Sequence, residues 1–246
     1  MPRLTDLDPL EKDHYTDNVF REKKRVKNPI KFHLQLNEEQ KRAKEHILEN
    51  TLTVIGGKAG SGKTLLACQV ALDGLFRGIY EKIIITRPTV SKEEIGFLPG
   101  DLREKMDPWV QPIFQNFFLL YGKDMMEKYL SNDCIEIVPV SFMRGRTFLD
   151  SIIIVDEAQN VTHEQMEMIV TRVGLRSKMI VCGDDGQIDL KSKSESGFKF
   201  LYTASRKIKK MKAITLYENH RDPIVNDLIN LYEEKNSKYS KGHQTS

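Results

Sequence analysis

Gly57-Lys58-Ala59-Gly60-Ser61-Gly62-Lys63-Thr64 is the most specific motif in this sequence, and the prediction of the fold begins from it. It follows a β-rich run at Leu52–Ile55 and precedes a helical stretch, and it matches the phosphate-loop pattern G-x-x-x-x-G-K-[ST]. Glycines allow the backbone N–H groups of such a loop to turn toward phosphate oxygens, and the following helix N-terminus favours anions. We therefore predict that the loop binds nucleotide phosphates, with Lys63 neutralising their charge and Thr64 offering its hydroxyl to Mg²⁺.

A glutamine upstream of the loop is a candidate for recognising the base. Gln40 lies in the run Leu36–Ala43, and a glutamine side chain can pair with adenine through two hydrogen bonds, which would select ATP over GTP. The same residue also has a structural explanation, because Asn37 followed by Gln40 three positions later is a capping box. The predicted nucleotide-binding residues are Gln40, Gly57, Lys58, Ala59, Gly60, Ser61, Gly62, Lys63, Thr64 and Leu65.

A pair of carboxylates supplies the acidic partner that a phosphate loop requires. The apolar run at 152–155 indicates a buried strand, and Asp156 and Glu157 follow it. We predict that Asp156 holds Mg²⁺ through water while Thr64 offers its hydroxyl to the same ion, and that Glu157 orients or deprotonates the attacking water. Adjacent carboxylates after a strand otherwise mark only a solvated loop or a helix start, so the functional interpretation depends on the phosphate loop.

A second polar residue is predicted at the same edge of the sheet. Gln187 follows the β-rich run at 179–182 within Gly183-Asp184-Asp185-Gly186-Gln187. Taken alone, this segment is typical of a turn. Because the carboxyl ends of parallel strands share one edge, Gln187 is expected near Asp156, where it would sense the γ-phosphate or hold the attacking water. The predicted catalytic residues are therefore Lys63, Asp156, Glu157 and Gln187, together with two arginines described next.

Catalytic arginines are also expected. A guanidinium that stabilises transition-state charge accelerates ATP hydrolysis, and it often comes from a neighbouring subunit. Arg172 and Arg221 are the predicted catalytic arginines, and Arg176 is a third candidate. Arginines at helix ends are also common on protein surfaces, so these assignments remain open. The arginines predicted to contact a nucleic-acid backbone or a subunit interface are Arg87, Arg144 and Arg146.

The order of elements indicates an α/β fold. β-rich runs alternate with helical stretches, as in a parallel sheet with helices on both faces. The predicted strands are 52–55, 82–86, 134–138, 152–155, 178–182 and 213–216. Residues 100–130 are longer than a single crossover and predict an insertion of one or two helices. The predicted units are a flexible arm at 1–33, a P-loop ATPase domain at 34–235 and a polar tail at 236–246.

Two helices carry clear end signals. Thr162 and Gln165 form a capping-box pattern, followed by an apolar stripe that ends at Gly174. A final helix is predicted to begin at Pro223. The stripe of the first helix is Met166, Ile169, Val170 and Val173, and that of the last is Ile224, Leu228, Ile229 and Tyr232.

Composition limits the class of protein. Of 246 residues, 39% are hydrophobic, which suits one large soluble domain and excludes wholesale disorder. No apolar run approaches the roughly 20 residues of a membrane span. The three cysteines are far apart in sequence, which predicts structural thiols in a reducing cytoplasm. A net charge of +3 is too small to indicate nucleic-acid binding by itself.

The motifs together resemble the first motor domain of superfamily 1 helicases, and residues 34–235 more closely resemble the PhoH-like family of ATPases. The segments specific to that family are 95–100, 143–148, 171–174 and 183–190. The resemblance implies a RecA-like P-loop NTPase core with a five-stranded parallel sheet, ATP hydrolysis with Mg²⁺, and ring-shaped hexamers. It also implies action on single-stranded RNA or DNA, with RNA favoured. The short chain, in which we expect no fused nuclease domain, suits a cytoplasmic protein of bacterial or phage origin.

One segment departs from the family pattern. Residues 219–225 stand where a Val-Arg-His-Pro run is expected, so Arg221 keeps its place while Asp222 replaces the histidine.

The leading prediction is a Mg²⁺-dependent ATPase of helicase type that acts on single-stranded nucleic acid. A nucleotide-controlled interaction switch with slow turnover remains an alternative. A small-molecule kinase is less consistent with Glu157 and Gln187, which suit water activation.

Overall fold

The structure, a computed structural model, describes residues 35–88, 102–220, 222–225, 227, 228, 231 and 232. Within these residues six strands form a single parallel sheet in the order β3-β2-β4-β5-β1-β6. The strands are β1 (Leu52–Gly57), β2 (Lys82–Thr86), β3 (Ile135–Ile137), β4 (Ser151–Val155), β5 (Lys178–Gly183) and β6 (Met211–Leu216). All six predicted strands are confirmed. The five-stranded sheet implied by the resemblance is wrong, because both edge strands, β3 and β6, pair along their length with the strands beside them.

Helices cover both faces of the sheet, as predicted. They are α1 (Glu38–Glu49), α2 (Lys63–Phe76), α3 (Leu102–Tyr121), α4 (Lys123–Ser131), α5 (His163–Val170) and α6 (Gly197–Ala204). The insertion predicted at 100–130 is helical, and its described residues form α3 and α4. A short 3₁₀ segment, Ala158–Asn160, follows β4.

Strand β4 shows how one apolar run serves two hydrophobic layers. Ile152 and Ile154 pack into the layer beneath α1 to α4, and Ile153 and Val155 pack into the layer beneath α5 and α6. All four side chains are fully buried. Because both faces of the sheet are covered, the strand is continuously apolar rather than alternating. This burial fixes the point at which Asp156 leaves the sheet.

Helix α5 begins as predicted and ends earlier. The hydroxyl of Thr162 accepts from Gln165 N (3.3 Å), and Gln165 Oε1 accepts from Thr162 N (3.1 Å). The helix stops at Val170, so the prediction that Val173 continues its apolar stripe is wrong. Thr171 Oγ1 donates to two carbonyls of the last turn, and such side-chain bonds compete with helix continuation. Val173 instead forms a β-bridge outside the sheet.

Several predictions fall outside the described residues, namely the arm at 1–33, the segment at 95–100, Arg221, Ile229 and the tail at 236–246. Of the predicted final helix, residues 223–225, 227, 228, 231 and 232 are helical. Among the described helices, none has both the length and the apolar character to span a bilayer.

Candidate nucleotide-binding site

The sheet order brings three loops together at one edge. Strand β5 lies between β1 and β4, so the phosphate loop, the acidic pair and the loop after β5 emerge side by side at the carboxyl ends of the strands. A cavity of about 560 Å³ opens there. Its lining includes Gln40, Thr64, Asp156, Glu157 and Gln187. The structure therefore places these five predicted residues around one space.

Three glycines shape the phosphate loop. Gly57, Gly60 and Gly62 have φ angles of 150°, 91° and 81°, a region that side-chain-bearing residues rarely adopt. A Cβ on Gly57 would lie 2.5 Å from the carbonyl oxygen of Leu216. The first bond of helix α2 runs from Leu66 N to Gly62 O (2.9 Å), so the preceding amides have no intrahelical acceptor. The loop thus fits a phosphate group.

Lys63 bridges its own loop. Its Nζ donates to Gly57 O (2.6 Å) and to Lys58 O (3.0 Å). Gly57, Lys58 and Ser61 were predicted to bind nucleotide but are not part of the cavity lining, whereas Lys63 is. The buried Ser61 hydroxyl has no hydrogen-bond partner among the described residues. Gly57 and Lys58 instead contribute their carbonyls to holding the lysine.

Two oxygen atoms mark the candidate metal position. Thr64 Oγ1 donates to Asp156 Oδ1 (2.7 Å), and Asp156 is only 4% exposed. Burial raises the pKa of Asp156 and the adjacent Glu157 adds to the effect, while the Thr64 hydroxyl and Arg87 oppose it. Hydroxyl and carboxylate oxygens are the ligands that Mg²⁺ prefers. The donor set therefore fits the metal predicted from the sequence.

Glu157 is held by two neighbours. Its backbone is left-handed, with φ of 50°, and Arg87 Nη2 lies 3.6 Å from its Oε1. Gln159 Nε2 donates to Glu157 Oε2 (2.6 Å) and to the carbonyl of Gln187 (3.2 Å). Arg87, predicted to contact nucleic acid or a subunit interface, thus contacts the predicted catalytic glutamate.

Gln159 is a site residue that sequence reasoning missed. It is 1% exposed, and its Oε1 accepts from Asp184 N (3.0 Å). Asp184 in turn accepts from Ala59 N through Oδ2 (3.0 Å) and from Gly186 N through Oδ1 (2.9 Å). These bonds connect the loops after β4, β5 and β1. The sequence offered one signal for Gln159, an amide side chain within a turn that is otherwise buried. Buried amides form hydrogen bonds, so this residue could have been expected to bond to its neighbours in the site.

The structure confirms one of the two roles considered for Gln40. Its capping box with Asn37 is present, and its side chain lines the cavity. Its Nε2 lies 3.4 Å from Ser61 O and 3.2 Å from His220 Nε2. His220, also part of the lining, had no predicted role. Recognition of the base by Gln40 stays a prediction.

Two candidate trans-acting arginines form hydrogen bonds or an ion pair within their own chain. Arg172 donates to Met168 O (3.0 Å) and Arg146 O (3.1 Å) and is not part of the cavity lining. Arg176 forms an ion pair with Asp150. The catalytic role predicted for Arg172 therefore remains a prediction.

The two remaining arginines differ in their surroundings. Arg146 Nη1 lies 2.7 Å from Glu136 Oε1, and the guanidinium stands 4.7 Å from the ring centre of Phe148. Arg144 is exposed. Both lie on the loop before β4, and their predicted contact with nucleic acid or a neighbouring subunit stays a prediction.

Comparison with known proteins assigns the family. A PhoH-like protein of Bacillus subtilis is 43% identical over 186 residues, which are 73% of this chain and 57% of that protein. One from Synechocystis is 36% identical over 190 residues, 76% of this chain and 58% of that protein. This chain thus spans about half the length of the relatives it matches.

A search of solved structures gives a more distant likeness. The Pif1 helicase from Candida albicans has a TM-score of 0.42 and 16% identity, covering 80% of this chain and 43% of the helicase. The family profile described as "PhoH-like protein", in contrast, matches residues 34–233. That match takes in the phosphate loop, the acidic pair and the loop after β5, and on this basis the chain belongs to the PhoH-like family.

Proposed function

We propose that this chain is a Mg²⁺-dependent ATPase that acts on single-stranded nucleic acid, with RNA favoured, as a ring-shaped oligomer. The observation that carries the proposal is the 2.7 Å contact between Thr64 and Asp156, with Glu157 directly after it in sequence. This arrangement joins a phosphate loop, a metal-binding oxygen pair and a base for water at one cavity.

Each residue of the site has a separate role in the proposed hydrolysis of ATP. Thr64 and Asp156 would hold Mg²⁺, which would neutralise negative charge that develops on the phosphate oxygens. Lys63 exchanges its two loop carbonyls for phosphate oxygens. Glu157 orients a water and accepts its proton as the water oxygen bonds to the γ-phosphorus and the bond from that phosphorus to the leaving β-phosphate oxygen breaks. Gln187 would hold the same water, and in support both residues line the cavity.

Arg87 supports coupling to a polyanion. Its ion pair with Glu157 is partly open to solvent, with the two side chains 22% and 37% exposed. A nucleic-acid phosphate that attracts Arg87 would release Glu157 for catalysis, because the guanidinium would exchange one anion for another. Nucleic acid is therefore expected to stimulate hydrolysis.

Exposed apolar residues support self-association. On the final helical stretch, Ile224, Leu228, Leu231 and Tyr232 are 63%, 50%, 61% and 63% exposed. Their spacing places them on one helix face, and such faces are usually covered by a partner.

Since Arg172 and Arg176 have contacts within their own chain, we assign the trans-acting role to Arg221.

The experiment is steady-state phosphate release with and without single-stranded RNA and DNA. Lys63→Ala and Glu157→Gln should abolish turnover, while Lys41→Ala, which alters an exposed lysine on α1, should leave it unchanged. Arg87→Ala should raise the basal rate and reduce stimulation. Equal rates in the wild type and Lys63→Ala would refute an ATPase, and an unstimulated wild type would refute the nucleic-acid role.

Self-association needs its own measurement. Light scattering of the wild type should report an oligomer, and Leu228→Asp should shift it toward monomer and lower hydrolysis together. A monomeric wild type that hydrolyses ATP at its full rate would refute the ring.

A nucleotide-controlled interaction switch is the second candidate, and one observation favours it. Asp184 occupies the amide of Ala59 in the phosphate loop, while Arg87 and Gln159 hold Glu157. In this candidate the contacts of Asp184 with Ala59 and of Arg87 with Glu157 would have to open before hydrolysis, which suits slow turnover. Tight ATP binding with a slow rate that neither polymer stimulates, together with nucleotide-dependent oligomer size, would identify the switch.

A further inference from the structure

His220 and Gln40 meet at the wall of the nucleotide cavity although 180 positions separate them. The backbone N of His220 donates to Gly60 O (3.1 Å), which attaches this residue to the phosphate loop. Its ring is close to Gly62, since a Cβ added there would lie 3.9 Å from His220 Cδ2. The imidazole is therefore held beside Gln40.

The capping box fixes the orientation of two amide groups. Gln40 Oε1 accepts from Asn37 N (3.2 Å), and Asn37 Oδ1 accepts from Gln40 N (2.8 Å). A backbone N–H can only donate, so the opposite atom of each side-chain amide is its NH₂ group. Gln40 Nε2 and Asn37 Nδ2 both lie near His220 Nε2, at 3.2 Å and 3.3 Å.

These contacts determine the role of the imidazole. Two NH₂ groups face His220 Nε2, so this nitrogen accepts and the ring proton is on Nδ1. Asn37 Nδ2 also donates to Glu218 Oε2 (2.7 Å), and Gln40 Nε2 also donates to Ser61 O (3.4 Å). The hydrogens of the Gln40 amide are thus directed at protein acceptors.

The remaining capacity of Gln40 is one lone pair on Oε1, so this arrangement leaves one of the two hydrogen bonds to adenine that the sequence predicts, the one in which Gln40 accepts. An acceptor at this position matches the exocyclic amino group of adenine and opposes the O6 acceptor of guanine. We propose that His220 is a positioning residue that holds the Gln40 amide in the orientation that selects adenine nucleotides over guanine nucleotides. This inference rests on the proposed ATPase function and extends it to a residue outside the phosphate loop and the acidic pair.

The experiment compares the affinities of unlabelled ATP and GTP by displacement of a fluorescent ATP analogue from the full chain. His220→Ala should reduce the ATP-over-GTP preference by about fivefold, which corresponds to one hydrogen bond. His220→Gln should restore much of it, because its side-chain oxygen can accept from Gln40. Tyr217→Ala is the matched control, since that side chain is 81% exposed in the same segment and its truncation should leave the preference unchanged.

The possible outcomes separate two failures. A wild type that binds neither nucleotide refutes the proposed function and this inference with it. A wild type that prefers ATP, with the same or a greater preference in His220→Ala, refutes the inference alone. Loss of preference in both His220→Ala and His220→Gln also refutes it, because an acceptor would then not be the requirement. Thermal unfolding of each variant checks that the fold is retained.

Discussion

Replacing Gln159 with leucine should destabilise the protein and slow ATP turnover together. The side chain is 1% exposed and bonds to Glu157, to the Gln187 carbonyl and to Asp184 N. Leucine of similar size fills the space and offers no polar atom. Glu157 and Gln187 are exposed enough to regain water, whereas the Asp184 amide stays buried without an acceptor.

The expected loss of unfolding free energy depends mainly on the buried Asp184 amide, because Glu157 and Gln187 can bond to water instead. One buried unsatisfied donor costs about 1–3 kcal/mol, and the lost bond to the partly exposed carboxylate adds about 1 kcal/mol or less. We expect a fall in the free energy of unfolding of about 2–3 kcal/mol, or about 5–10 °C in the unfolding midpoint for a domain of this size. Turnover should fall at least about tenfold, since Glu157 loses a contact that positions it.

The assay is urea unfolding followed by circular dichroism, alongside phosphate release. Asn160→Ala is the control, because its bonds to Asp189 are exposed and its removal should change the unfolding free energy by no more than about 0.5 kcal/mol. If Gln159→Leu unfolds within the same margin as this control, the network contributes nothing to stability. Unchanged turnover would separately show that Glu157 is positioned by other contacts.

Three further predictions concern single side chains. Asp156→Asn should stabilise the nucleotide-free protein at neutral pH and abolish stabilisation by Mg²⁺ and ATP. Burial raises the pKa of Asp156, so its ionisation opposes folding above that pKa, and the advantage of asparagine should shrink in urea titrations as the pH falls toward about 4. Iodoacetamide should label Cys134 before Cys68 and Cys182, which are buried thiols with raised pKa values; mass spectrometry that finds native Cys68 labelled first would contradict this. Gly62→Ala should weaken nucleotide binding at least about tenfold in fluorescence titration, because φ is 81° and the new Cβ would lie 2.7 Å from a side-chain nitrogen; wild-type affinity would show that the loop relaxes around it.

The sheet and the helix starts could be predicted because their signals are local. Strand β4 spans five residues, Ser151–Val155, and each capping box spans four positions, at Asn37–Gln40 and at Thr162–Gln165. The phosphate loop is contiguous as well. Each of these features depends on neighbours in sequence, so a single chain contains the information needed.

The contacts within the site depend on distant pairs, and that is why they were missed. Asp184 reaches Ala59 across 125 positions, and His220 reaches Gln40 across 180. Sequence patterns place such residues at the same edge of the sheet without specifying which donor meets which acceptor. Arg172 shows that residue type alone is also insufficient. An arginine is suited to catalysis, but this one donates to two backbone carbonyls of its own chain.

The position of β1 in the sheet affects the order of events during synthesis. Its first residue, Leu52, pairs with Met179 on one side and with Met211 on the other. A growing chain that has not reached residue 216 lacks a strand beside the phosphate loop, and contacts of such long sequence separation form late. Nucleotide capture by ribosome-bound chains of increasing length would therefore report when translation has passed β6.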